Sequence, residues 1–153
     1  MNICYLGLGS NLNCPMRQIR LAIRYLKQIP SSSLLAIAPF YPNEAVGRRG
    51  QPKYCNTVVK FATFLSPEQL LDACQAIEAK QGRVRRVRWG ARPIDIDILY
   101  FGHLKIHSAR LILPHPRIKE RAFVLQPLSD LGFAKPSDIP NKAFITGLWP
   151  CLA

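Results

Sequence analysis

PIDIDILYF, residues 93–101, alternates isoleucine with aspartate from Ile94 to Ile98. A period of two marks a β-strand, whose successive side chains point to opposite faces. The stretch therefore predicts a strand with Ile94, Ile96 and Ile98 on one face and the carboxylates of Asp95 and Asp97 on the other. Aspartate is disfavoured in strands, so two of them in an apolar run need a reason. An exposed polar face or ion pairs with neighbouring arginines would supply one. A metal seat would supply another, because Mg²⁺ commonly sits between carboxylates and substrate phosphates.

Immediately upstream, Arg83, Arg85, Arg86, Arg88 and Arg92 crowd one short segment. Guanidinium groups take phosphate oxygens through charge-assisted, often bidentate hydrogen bonds. Such a run also reads as solvated surface charge or nucleic-acid affinity. Trp89 in its midst offers either a stacking face for a planar ring or an anchor for the loop. Directly beside the aspartates, the arginines favour metal ligation and phosphate chemistry.

The rest of the chain supplies the frame. ICYLGL at 3–8 predicts a buried strand that Gly9, Ser10 and Asn11 break. Ile19, Ala22, Ile23 and Leu26 are spaced for a helix from Pro15 to about Gln28, with proline in the first turn. SLLAIAPFY at 33–41 and YCNTVVKFAT at 54–63 predict two further strands. Between them PNEAVGRRGQPK, 42–53, is a loop of about a dozen residues, a length that is usually functional or disordered.

Ser66-Pro67-Glu68-Gln69 resembles a capping box before the stripe Leu70, Leu71, Cys74 and Ile77, with Gly82 as a stop signal. After residues 93–101, Gly102 and His103 form a turn, LKIHS at 104–108 suits a short return strand, and a last helix is expected from about Ile118 to Leu128. The order strand, helix, strand, strand, helix, strand predicts an α+β, ferredoxin-like βαββαβ antiparallel sheet with helices packed on one face and additional C-terminal elements.

A chain of 153 residues suits a single domain over 1–153. Hydrophobic content of 48% and charged content of 20% fit a globular protein rather than a disordered one. No apolar stretch reaches the roughly eighteen residues that span a bilayer, and no signal-peptide layout opens the chain, so the expected location is the cytoplasm. The net charge of +12 calls for an anionic partner without choosing between nucleotide, nucleic acid and membrane surface. Cys4, Cys14, Cys55, Cys74 and Cys151 lack the spacing of a zinc site or a disulfide framework, and read as buried, reduced cysteines.

Leu113-Pro114-His115-Pro116, with Lys119 and Arg121 following, suits a phosphate-binding wall in which His115 is a contact rather than a base. Other chemistries lack their motifs: there is no GxxxxGK[ST], no third glycine after Gly7-Leu8-Gly9, and no GxSxG.

YLGLGSNL at 5–12, VG…QPKYCN at 46–56, RWGARPIDIDIL at 88–99 and LPHPRIKERAFVLQPL at 113–128, in that order, resemble the 6-hydroxymethyl-7,8-dihydropterin pyrophosphokinases of folate biosynthesis. The resemblance runs from Tyr5 to about Leu131. It implies attack of the pterin hydroxymethyl oxygen on the β-phosphorus of ATP, with AMP leaving. It implies Asp95 and Asp97 as ligands of two Mg²⁺ ions and Arg83 and Arg92 as catalytic arginines of a closing loop.

For ATP it implies Leu71, Gln75, Glu78, Arg85, Arg88, Trp89, Ile98, Leu111, His115 and Arg121. For the pterin it implies stacking by Tyr54 and Phe123, an amide reading by Asn56, closure by Trp89, and contacts from Asn43 and Val46. The chain departs from the family pattern at Asn43-Glu44-Ala45 and in an arginine segment one residue shorter between Arg86 and Arg88. The partners expected are ATP and the pterin alone, with no nucleic acid or membrane, acting on a monomer. The rival reading is a basic ferredoxin-like nucleic-acid-binding module, which Asp95 and Asp97 oppose by repelling phosphate.

Overall fold

The structure is a computed structural model describing residues 1–11, 14–43, 54–82 and 93–133. Its centre is β1 (Asn2–Ser10), paired antiparallel with β4 (Tyr54–Thr63) on one side and with β5 (Asp95–Phe101) on the other. β2 (Ser32–Ile37) and the short β3 (Tyr41–Asn43) both pair antiparallel with the far edge of β4. Among the described residues the sheet order is β2-β4-β1-β5, which leaves β5 as a terminal strand. With two helices crossing one face, this is the expected ferredoxin-like α+β arrangement.

α1 (Pro15–Leu26) buries Ile19, Ala22, Ile23 and Leu26 and turns Arg17, Arg24 and the following Lys27 to solvent. α2 (Pro67–Lys80) starts on the capping box that its sequence predicts. Gln69 N–H donates to Ser66 Oγ at 3.2 Å, and Ser66 N–H donates to Gln69 Oε1 at 2.9 Å. Such caps contribute about 1 kcal/mol to a helix. Leu70, Cys74 and Ile77 face the core, and Gly82 ends the segment at φ 90°, where a β-carbon would be strained. Both helices pack on the face formed by Cys4, Leu6, Leu8, Cys55, Val59, Phe61, Ile94, Ile96 and Ile98.

The opposite face carries Tyr5, Val58 and Leu99, covered by α3 (Ala122–Asp130) through Val124, Leu125 and Leu128. A small hairpin of β6 (Ile106–His107) and β7 (Ile112–Leu113) follows β5 and precedes a 3₁₀ turn at Ile118–Glu120. These are the additional C-terminal elements.

Four local readings differ from the sequence expectation. β1 does not break at Gly9 but runs through Ser10, because β4 and β5 pair with it on both sides. The expected strand 33–41 divides at Pro39, which has no N–H for a ladder. Thr57 Oγ1 donates to the carbonyls of Ala38 at 2.9 Å and Pro39 at 3.2 Å, so the interruption stays hydrogen-bonded. The strand expected over 93–101 begins at Asp95 rather than Pro93. The last helix is divided by Arg121, whose backbone is extended at φ −118°, ψ 99°.

The alternation along 93–101 holds where it matters and then shifts. Leu6 pairs with Ile98 and Tyr5 with Tyr100, so Leu99 is an extra residue bulged out of the ladder. Ile94, Ile96 and Ile98 face α1 and α2, and beyond the bulge Phe101 joins them while Leu99 packs under α3.

Candidate active site

Directly opposed residues of antiparallel neighbours point to the same face. Gly9 lies opposite Asn56 on β4 and opposite Asp95 on β5; Gly7 lies opposite Val58 and Asp97. Two rows therefore cross the α3-side face, each with a glycine at its middle. A glycine inside a strand marks a place where something approaches the backbone closely. At Gly9 the occupant is visible: a β-carbon there would sit 2.7 Å from Asn56 Oδ1, closer than real contacts allow, whereas one at Gly7 would meet Leu99 at an ordinary 3.5 Å. The buried Asn56 amide thus leans over a floor of bare backbone, with the half-buried Asp95 and Asp97 along the other rim.

Tyr54 stands two residues from Asn56, on the same face by strand alternation, and pairs with Asn43 of β3. Phe123 comes to that side of the sheet from the start of α3 and packs against the Tyr5–Val58–Leu99 cluster. The break before α3 puts Arg121 between these groups. Its guanidinium lies 5.7 Å from the Phe123 ring centroid, and its Nη1 is 3.8 Å from Asp97 Oδ2. A pair that long and that exposed contributes at most on the order of 1 kcal/mol, so the arginine is only weakly held there.

His115 is fixed at both ends. Its backbone N–H donates to Leu99 O at 3.0 Å, and its Nδ1 accepts from the Arg117 backbone N–H at 3.2 Å. The neutral ring therefore carries its proton on Nε2. Burial lowers its pKa from the usual 6.5; Arg121 and Arg117 lower it further, and Asp97 opposes them. Near neutral pH the ring is an uncharged donor at Nε2.

A depressed histidine makes stability depend on pH with a definite sign. The contribution is complete above the unfolded value of about 6.5 and is lost as pH falls through the lower folded value. The thermal midpoint should therefore drop from about pH 7.5 to about pH 5, and His115→Gln should flatten part of that slope. Melting curves for the two proteins across that range test this; parallel slopes would remove His115 as a source.

Five others of the residues expected around the nucleotide come from α2, β5 and the residue before β7. Ile98 and Leu111 are buried in the α1–α2 core, with Leu71 at its margin. Gln75 Oε1 accepts from Arg110 Nη2 at 3.4 Å, and the same nitrogen donates to Asp72 Oδ1 at 2.6 Å. Glu78 is buried, and its Oε2 accepts the Ile96 N–H at 3.0 Å. These groups and the two aspartates occupy opposite faces of β5, so the set meets only around the terminal strand. Val46, Arg83, Arg85, Arg88, Trp89 and Arg92 lie outside the described residues, as do the side chains of Asn43 and Lys119.

Sequence reading missed the glycine floor, although Gly7 and Gly9 inside an apolar strand were its signal. It also missed Tyr41. That residue lies opposite Asn56, and its hydroxyl donates to an Asp130 carboxylate oxygen, tying α3 to β3. Burial, then Asp130, push the phenol above its ordinary range. Nothing in the local sequence pairs residues so far apart. Of the cysteines, Cys4, Cys55 and Cys74 are buried, free thiols as expected, and burial pushes Cys4 and Cys55 up to about 12. Cys14, at the N-cap of α1, is free but exposed, against the expectation of burial, and Cys151 lies outside the described residues. No helix among the described residues is long and apolar enough to cross a membrane.

Known proteins share this chain's pattern nearly end to end. A family model described as 7,8-dihydro-6-hydroxymethylpterin-pyrophosphokinase (HPPK) matches residues 5–132. The 2-amino-4-hydroxy-6-hydroxymethyldihydropteridine pyrophosphokinase of Haemophilus influenzae is 42% identical over 148 residues, 97% of this chain and 91% of that protein. The enzyme of the same name from Pseudomonas aeruginosa is 46% identical over 128 residues, 84% of this chain and 79% of that one. Among solved structures, an HPPK-DHPS chain in complex with substrates superposes with a TM-score of 0.63 at 15% identity. That match covers 86% of this chain and 42% of the solved one, and speaks for the fold alone. With the family model spanning most of its length and curated relatives matched nearly whole, the chain belongs to the 7,8-dihydro-6-hydroxymethylpterin-pyrophosphokinase family.

Proposed function

We propose that this chain carries out its family's reaction on the face of β1, β4 and β5 that α3 flanks. The reaction transfers pyrophosphate from ATP to the hydroxymethyl group of 6-hydroxymethyl-7,8-dihydropterin, giving the pterin diphosphate and AMP, a step of folate biosynthesis. The observation that carries the placement is the row Asn56–Gly9–Asp95, an amide and a carboxylate facing each other across bare backbone.

The donor set fits Mg²⁺. Among the described residues no group of three or more His, Cys, Asp or Glu side chains gathers to cage a metal. Two carboxylates on one strand face are nevertheless what Mg²⁺ takes from a protein when water and substrate phosphates complete its shell. Asp95 and Asp97 would hold it. When bound, Mg²⁺ supplies charge neutralisation at the phosphate oxygens.

The remaining work is positioning. The Asn56 amide presents donor and acceptor together to a pterin edge. Tyr54 and Phe123 offer rings for its faces. His115 donates from Nε2 to a phosphate oxygen, and Arg121 exchanges Asp97 for phosphate. By family resemblance, Arg83 and Arg92 close over the triphosphate, Arg85, Arg88 and Trp89 add nucleotide contacts, and Val46 and Asn43 border the pterin. Leu71, Gln75, Ile98 and Leu111 belong to the nucleotide side of the same reading. The enzyme acts as a single-domain cytoplasmic monomer. The rival nucleic-acid module is not favoured, since the family match takes in residues 5–132.

The test is AMP release from ATP, with and without 6-hydroxymethyl-7,8-dihydropterin, in Mg²⁺ and again in EDTA. AMP should form only when pterin and metal are both present. Folded protein that releases no pterin-dependent AMP would overturn the reading.

A further inference from the structure

β5 carries both aspartates, yet among the described residues it is a terminal strand of the sheet. In an antiparallel pair, residues alternate between those whose backbone groups face the neighbour and those whose groups face away. On a terminal strand the outward N–H groups need another acceptor or must stay solvated. Ile96, opposite Leu8 and midway between the aspartates, has its N–H bound 3.0 Å from Glu78 Oε2. Its side chain is buried in the α1–α2 core, so both its backbone and its side chain are held from the α2 side.

Glu78 is only 5% exposed, although glutamate is rarely buried unless its charge is matched by hydrogen bonds. A carboxylate accepting a backbone N–H makes one of the stronger hydrogen bonds in proteins, about 1.5–3 kcal/mol. One turn earlier on α2, Cys74 registers both charges. Burial raises its thiol pKa most, and Glu78 and Asp97 raise it further. Glu78 thus binds the strand at Ile96, the residue between the two aspartates, from the α2 side.

We infer that Glu78 is a positioning residue for the metal seat: from the helix side of the sheet it holds the Ile96 amide, and so sets the direction in which Asp95 and Asp97 present their carboxylates. This rests on the two-aspartate seat proposed above. Glu78 touches no ligand in this role. Groups that orient metal ligands in this way typically change metal affinity by about 10–100-fold when removed.

Hydrogen–deuterium exchange of the metal-free protein tests the bond itself. Glu78→Ala should lose protection at Ile96, whereas Glu78→Gln, whose amide oxygen still accepts, should keep it. In Mg²⁺ titrations of AMP release, Glu78→Ala should raise the half-saturating Mg²⁺ concentration about tenfold, with Glu78→Gln recovering most of the difference. Leu26→Ala, a core truncation in α1, should lower the melting temperature without moving the Mg²⁺ requirement.

If Glu78→Ala does not fold, Glu78→Asp, which keeps the charge but shortens the reach, takes its place with the same readouts. Unchanged exchange at Ile96 would overturn the inference. So would a variant that raises KM for ATP and leaves the Mg²⁺ requirement alone, which would make Glu78 a nucleotide contact. If Asp97→Ala also leaves the Mg²⁺ requirement unmoved, the seat is elsewhere and the positioning role falls with it.

Discussion

Asp97→Ala and Asp95→Ala should each turn over ATP and pterin on the order of a thousandfold more slowly than the parent chain, while melting within a few degrees of it. The first half follows from charge. Pyrophosphoryl transfer offers the protein little covalent work, so most of its rate comes from holding phosphates and neutralising them. Removing one of two carboxylates removes half of the protein's grip on the cation. The second half follows from location. Both side chains are half-buried at the rim, and the ion pair of Asp97 with Arg121, at 3.8 Å, is long and partly exposed. Its loss costs little. Steady-state AMP release and a melting curve measured on the same preparation decide the matter. Turnover near the parent rate in either variant would remove the two-carboxylate seat.

That prediction was reachable from sequence because strand period and side-chain face are tied by geometry. Once 93–101 is a strand, Asp95 and Asp97 must share a face, and opposite Gly9 and Gly7 they do. The capping box at Ser66 was legible for a similar reason: donor, acceptor and spacing all lie within four residues. What sequence did not show depends on partners far away in the chain. Gly9 reads locally as a strand breaker, yet pairing on both sides keeps it in β1 and makes it a floor. Glu78 was expected at the nucleotide; its bond to Ile96 exists only because α2 crosses beside the terminal strand. Arg121 sat inside an expected continuous helix, and its extended backbone is set by the junction between the 3₁₀ turn and α3. Local rules gave the elements and the faces, while long-range packing gave the contacts within the site.

Gly9→Val should weaken pterin binding by at least about a hundredfold while ATP binding changes little. Even the β-carbon of alanine at this position would meet Asn56 Oδ1 at 2.7 Å, and valine adds two methyl groups to the same space. The strand pairs on both sides, so β1 has less freedom to retreat than the Asn56 amide has to swing away. An amide turned off its line leaves a polar ring edge without its partner. A site built to hydrogen-bond a substrate loses far more from such a mismatch than an apolar pocket loses from a missing methyl. Gly7→Ala is the matched comparison: its β-carbon would meet Leu99 at 3.5 Å, ordinary van der Waals contact, and the loss should be much smaller. Calorimetric titration of the pterin into each variant with a non-hydrolysable ATP analogue present, beside a titration of that analogue alone, separates the two ligands. Equal weakening of both in Gly9→Val would mean that the strand itself had moved, and the floor would then be a structural necessity rather than part of the pterin site.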